Sequence, residues 1–225
     1  MHNAFHTLGR FLKVVSSGQS YLNLIYLLAS FPLGIFYFVF LVSGLSTGLS
    51  LAIIWIGIPI LFLVGVIWWQ LARFERSLAI TILKEDVPTM IDPTKDDAII
   101  WIRLREYFVN PVTWKSLLYL FLKFPLGMAT FVIVVTFVSL TLSFLTMPLT
   151  FRLLGNFQIG LFTHPNQSLW IIDSLNDALL AVLIGLFLWP VTLHVINGIA
   201  WAHAKLARLM LSINPLENLT SVSEA

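Results

Sequence analysis

Four stretches of the chain stay apolar for about twenty residues or more: roughly 21–43, 49–70, 117–145 and 178–201. A helix needs about 20 such residues to cross the hydrocarbon of a bilayer. None of the four alternates apolar with polar positions, as a barrel strand would, so the pattern predicts helices. Between the first two lies Ser-Gly-Leu-Ser-Thr-Gly, residues 43–48, which reads as a short uncharged turn closing an antiparallel hairpin.

The basic residues fix an orientation. Arg10 and Lys13 precede the first span, and Lys205 and Arg208 follow the fourth. Arg73, Arg76, Lys84, Lys95, Arg103, Arg105 and Lys115 lie between the second and third, while the 146–177 connection carries only Arg152. By the excess of Lys and Arg in cytoplasmic loops, both termini and the 71–116 loop are expected in the cytoplasm and 146–177 outside.

Composition agrees. Of 225 residues, 58% are hydrophobic and 11% charged, against about 45–50% and about 25% in soluble domains. Mean hydropathy is +0.90. The first twenty residues lack the continuous apolar core of a signal peptide. These features indicate a multi-pass protein of the plasma membrane. With no cysteine in the chain, a disulfide framework, a thiolate metal site and a cysteine nucleophile are excluded. The sequence also offers no nucleophile–base pair, paired intramembrane carboxylates or phosphate loop. No enzymatic activity, cofactor or metal is therefore expected. The basic residues suit lipid headgroups, and no nucleic-acid surface stands free of the membrane.

The spans repeat. Sliding the chain by 93 residues lays YLNLIYLLASFPLGIFYFVFLVSGLS over WKSLLYLFLKFPLGMATFVIVVTFVS, with 11 of 26 positions identical. WQLARFER after the second span likewise matches WAHAKLAR after the fourth. The reading is two tandem hairpins of one orientation, related by an axis along the membrane normal. Pro32 with Gly34, and Pro125 with Gly127, are expected to be matched kinks that let the first and third spans pack closely. Trp69, Arg73 and Arg76, with Trp201, Lys205 and Arg208, are expected membrane anchors. The fold class is thus an all-α membrane protein, a four-transmembrane-helix bundle with interfacial amphipathic segments. One such segment is residues 1–20; another is the face of Ile100, Trp101, Leu104, Tyr107 and Phe108. The apolar 146–177 connection is expected to lie on the bilayer surface without forming a folded domain.

Polar residues inside the spans are costly there and candidates for function. Lys123 replaces the Ser30 of the first copy, and its long stem is expected to snorkel toward the headgroups; pairing with carbonyls freed by the prolines is the alternative. His194, with Asn197 one turn on, is expected to hydrogen-bond within the bundle, and a ligand role for it is the less favoured reading. Asp177 with Ser174 approximates a helix cap at the start of the fourth span.

FPLGIFYFVFLVSGLSTGLSLAIIWIGIPIL, then WxxLARFERSLA, then NPVTWKSLLYLFLKFPLG resembles the sensor domain found at the N-terminus of many bacterial histidine kinases. The resemblance covers about residues 20–205. It implies a membrane domain at 21–205, flanked by the 1–20 segment and a 206–225 tail, that serves signal transduction in two-component systems, here standing alone without the kinase. The expected function is a non-catalytic sensor or regulatory module working through a separate membrane or cytoplasmic protein partner such as a kinase. The alternative is an accessory subunit of a larger respiratory or photosynthetic complex. Self-association as a homodimer is compatible with either.

Overall fold

A computed structural model describes residues 13–87, 111–154, 159–164, 167–172 and 174–211. Its elements are α1 (Gly18–Leu51), a single 3-10 turn (Ala52–Ile54), α2 (Gly57–Thr81), α3 (Pro111–Leu145), α4 (Met147–Leu154), β1 (Ile159–His164), β2 (Gln167–Ile172) and α5 (Leu175–Leu211). The helices α1, α2, α3 and α5 are each long and apolar enough to cross a membrane. The protein is therefore a helical, multi-pass membrane protein. The N-terminal and 100–108 amphipathic faces lie outside the described residues.

The first connection differs from the sequence reading. Ser-Gly-Leu-Ser-Thr-Gly is not a turn but the last part of α1, and the chain reverses at residues 52–56 instead. Ser50 Oγ donates to the Ser46 carbonyl at 2.8 Å, a bond that lets a serine sit within a helix. Gly44 and Gly48 face α2 one turn apart. A Cβ on Gly44 would lie 2.7 Å from Val64 Cγ2, and one on Gly48 2.6 Å from Leu61 Cδ2. The spacing Gly-x-x-x-Gly is thus a packing surface, not a breaker. The reversal is made where Trp55 takes φ 65°, the left-handed region that closes a helix end.

The chain forms two compact units. One combines residues up to Ser20 with Val132–Asn197; the other combines Tyr21–Phe131 with residues from Gly198 onward. In the first unit, Phe144, Met147, Ala178 and Ala181 form a small core against Phe151 and Leu188. Thr141 and Thr192 pair their hydroxyls at 2.8 Å. Ser174 caps α5: the Asp177 N–H donates to Ser174 Oγ at 3.2 Å, and that hydroxyl donates to Asp177 Oδ2 at 2.7 Å. The α4–α5 connection contains more structure than the sequence suggested. Strands β1 and β2 pair antiparallel from Ile159 opposite Ile172 to His164 opposite Gln167. The two strands pair the backbone groups on their facing edges.

The second unit holds the larger core. Tyr37, Leu41, Val64, Trp68 and Trp69 are buried with Tyr119, Leu120, Ala207 and Leu211. Lipid tails are as apolar as these side chains, so close packing and polar contacts, more than hydrophobic transfer, hold the helices together. Leu63, Leu118 and Trp201 are exposed on the helix surfaces of this unit, as lipid-facing residues should be.

Candidate functional site

The most unusual chemistry of the second unit is a buried charge. Lys123 on α3 is 1% exposed and Glu75 on α2 is fully buried, with Nζ and Oε2 2.8 Å apart. Three more polar groups close the arrangement. Tyr37 of α1 donates to Glu75 Oε1 at 3.0 Å, and Tyr119 of α3 donates to Glu75 Oε2 at 3.1 Å. Lys123 Nζ donates to the Tyr26 hydroxyl at 2.7 Å and lies 4.6 Å from the centre of the same ring. The carboxylate thus has three donors from two other helices, and the ammonium has an anion, a hydroxyl and a π face. His203 of α5 stands edge-on to Tyr26 with ring centres 6.1 Å apart. Four helices therefore meet at one charged node.

This corrects the expectation that Lys123 snorkels. Its stem does not reach the surface, because the ammonium is held inside by a buried carboxylate 2.8 Å away. Neither does it pair with proline-freed carbonyls. Glu75 is eighteen residue steps along α2 from Gly57, about 27 Å at 1.5 Å per residue. That approaches the ~30 Å thickness of the hydrocarbon. Glu75 thus lies toward the Arg73 and Arg76 end of α2, away from the middle of its apolar stretch, and charge near the end of a span costs less than at its centre.

The two Phe-Pro-Leu-Gly motifs meet beside the node. A Cβ on Gly34 would lie 2.8 Å from the Lys123 carbonyl oxygen, and one on Gly127 2.7 Å from the Ser30 carbonyl oxygen. Phe31 stacks on Phe131 at 4.8 Å, and Phe38 on Phe124 at 4.7 Å. Under the 93-residue shift each contact maps onto the other: Gly34 onto Gly127, Phe31 onto Phe124, Phe38 onto Phe131. The polar node breaks this correspondence, and Tyr37 maps onto Thr130. Lys123 corresponds to Ser30, and Glu75 to Ala207 of the second Trp-plus-basic segment; both counterparts are fully buried. Helices α1 and α3 run without interruption through Pro32 and Pro125.

The expected anchors divide. Trp69 is 1% exposed and packs in the protein core, whereas Trp201 is 63% exposed. Three of the basic residues bind the protein itself. Arg76 Nη2 donates to the Val87 carbonyl at 2.7 Å. Lys205 Nζ and Arg208 Nη1 both donate to Glu85 Oε1, at 2.7 and 3.2 Å. Together they tie the 82–87 strap, which follows α2, to the end of α5. His194 Nδ1 donates to the Pro190 carbonyl at 2.9 Å, within its own helix, and Asn197 donates to Ser20 Oγ at 2.9 Å. Among the described residues no group of three His, Cys, Asp or Glu is placed to hold a metal ion.

The clasp carries a pH dependence. The Lys205 ammonium, bonded to Glu85, and then the Arg208 guanidinium hold its carboxyl below the usual carboxylate range. A depressed folded-state pKa contributes stability that is present above the ordinary value, about 4.3 for Glu, and is lost as pH falls through the lowered one. Wild type should therefore exceed Glu85→Gln in thermal stability at neutral pH by a modest margin, about 0.2–1 kcal/mol for so exposed a pair. The margin should vanish in strong acid. A gap that does not change with pH would show that Glu85 acts through packing alone.

Glu75 was missed in the sequence because it lies inside WQLARFER, between two arginines that drew attention as anchors. One signal was available. The four long helices contain only two acidic residues, Glu75 and Asp177. With Asp177 explained by the helix start, Glu75 was the one intrahelical acid left for Lys123. The family model described as "Putative sensor" matches residues 26–211. No curated protein and no solved structure matches the chain.

Proposed function

The chain belongs to the "Putative sensor" family, and from that premise we propose that it is a non-catalytic membrane sensor module that acts through a separate protein such as a kinase. The Glu75–Lys123 node is the observation that carries the mechanistic part of this reading. A buried ion pair seldom adds net stability relative to a packed apolar pair; its best-attested roles are in setting register and in switching. Here it joins α2 to α3, with tyrosines from α1 and α3, beside the glycine contact of the two repeats. Movement at the Phe-Pro-Leu-Gly contact would strain the node, and a changed node would shift α2 against α3. That is a two-state element a signal can bias. The exchange of contacts under the 93-residue shift supports tandem duplication, with the charge acquired in one half. The module lies in the plasma membrane with both termini, the 71–116 loop and the node on the cytoplasmic side, where the basic residues gather.

Two measurements test this. The native chain has no cysteine, so single cysteines at Asp86 and Leu153, both exposed, give clean reporters. They should label from opposite sides of the membrane, Asp86→Cys from the cytoplasm; labelling from one side would refute the orientation. Purification in mild detergent should bring down a kinase or response regulator. Recovery of respiratory or photosynthetic subunits instead would overturn the sensor reading in favour of an accessory subunit.

A further inference from the structure

The clasp at the end of α5 points to a lipid site. Trp201, Lys205 and Arg208 lie at i, i+4 and i+7 of one helix and so share a face. All three are open to the surroundings: Trp201 is 63% exposed, and the Lys205 and Arg208 side chains are 39% and 48% exposed. Helix α2 has 25 residues, about 38 Å of rise, and Glu85 lies four residues beyond it. Measured from the 52–56 reversal, the clasp is therefore about 40 Å away, which matches the ~40–45 Å of a bilayer including its headgroups. An exposed tryptophan one turn before two cations is the arrangement that suits the headgroup layer.

Among the described residues the chemistry of the site is incomplete. Lys205 and Arg208 share one carboxylate oxygen of Glu85, so these three groups together carry one positive charge. The recorded bonds use one of three lysine N–H groups and one of five on the guanidinium. A phosphodiester supplies the missing charge and offers acceptors for those donors. We propose that Lys205 and Arg208 take the phosphate of an anionic phospholipid headgroup in place of the Glu85 carboxylate, with Trp201 seated beside its glycerol region. The exchange releases the 82–87 strap. Other contacts of the strap include the Ile82 N–H to the Leu78 carbonyl, the Glu85 N–H to the Ala79 carbonyl, Arg76 on the Val87 carbonyl, and the packing of Leu83 and Val87. Local lipid composition would then set how firmly the end of α2, six residues past Glu75, is tied to α5. This inference does not depend on the identity of any partner.

The full chain in nanodiscs of zwitterionic lipid, and in nanodiscs containing phosphatidylglycerol, provides the test, read by hydrogen exchange at residues 82–87. Anionic lipid should raise exchange there by about two- to fivefold, the factor an exposed ion pair is worth. Glu85→Gln should show the raised exchange in both lipids, and Lys205→Gln with Arg208→Gln should show no difference between lipids. Equal exchange of the wild type in the two nanodiscs would overturn the proposal. So would the same rise on adding inorganic phosphate to the detergent-solubilised chain, which would make the site one for free phosphate. Since the readout is local, it stands or falls separately from any signalling assay.

Discussion

Replacing Lys123 by methionine alone should destabilise the protein by about 3–5 kcal/mol, the cost of leaving a buried carboxylate without its counter-charge. Tyr37 and Tyr119 still donate to Glu75, but two hydroxyl bonds do not replace an ammonium in a site from which water is excluded. Removing the charge from both sides should reverse most of this. In Glu75→Gln/Lys123→Met the amide oxygen still accepts from the tyrosines and no net charge remains, so stability should return to within about 1–2 kcal/mol of wild type, because neutral replacement of a buried pair is often close to neutral. Reversible unfolding of the four proteins in mixed micelles completes the double-mutant cycle. If Lys123→Met alone unfolds like the wild type, the two charges are not coupled and the node has no role as a latch. If the double variant is stable yet no longer elicits its partner's response, the node serves signalling more than folding.

Alanine at Gly34 or Gly127 should cost about 1–3 kcal/mol each, the range for inserting atoms into a packed core. The added methyl would meet backbone on the facing helix, at 2.8 Å and 2.7 Å respectively. A backbone cannot rotate aside as a side chain can, so α1 and α3 must separate. Separation would loosen the stacking of Phe31 on Phe131 and of Phe38 on Phe124. The helix propensity gained from alanine, about 0.5–1 kcal/mol, runs the other way and is outweighed. Gly65 and Gly198 make the comparison, since a Cβ at either meets nothing within 4 Å. There alanine should be neutral or mildly stabilising. Unfolding of the four single variants under one set of conditions decides it. Equal behaviour at all four positions would show that the reciprocal glycine contact does not hold α1 to α3.

Much of the fold was legible because the bilayer simplifies the problem. Each span must satisfy its own backbone hydrogen bonds, so an uninterrupted apolar run of sufficient length has one structural solution. The same reasoning misread Ser-Gly-Leu-Ser-Thr-Gly. In water those residues punctuate helices; between membrane helices Gly44 and Gly48 are what allow α2 to approach. The α4–α5 connection was unreadable as a hairpin because β1 and β2 are short apolar runs whose period does not separate a strand from an interfacial segment.

By itself, the sequence determined the number of spans, the family and the correspondence of the two Phe-Pro-Leu-Gly motifs, since these depend on local composition and on identities along one chain. Only the tertiary structure decided what the charged residues do. Lys123 and Glu75 stand 48 positions apart, and no periodicity links two side chains on different helices. Lys205 and Arg208 were read as anchors because a lone basic helix end in lipid seeks headgroups. The fold brought Glu85 to them and set one carboxylate oxygen within 3.2 Å of both, a partner that spacing along one helix does not announce. Trp69 and Trp201 occupy matching places in the sequence and opposite ones in the structure, because α2 turns that face into the core and α5 turns its own outward.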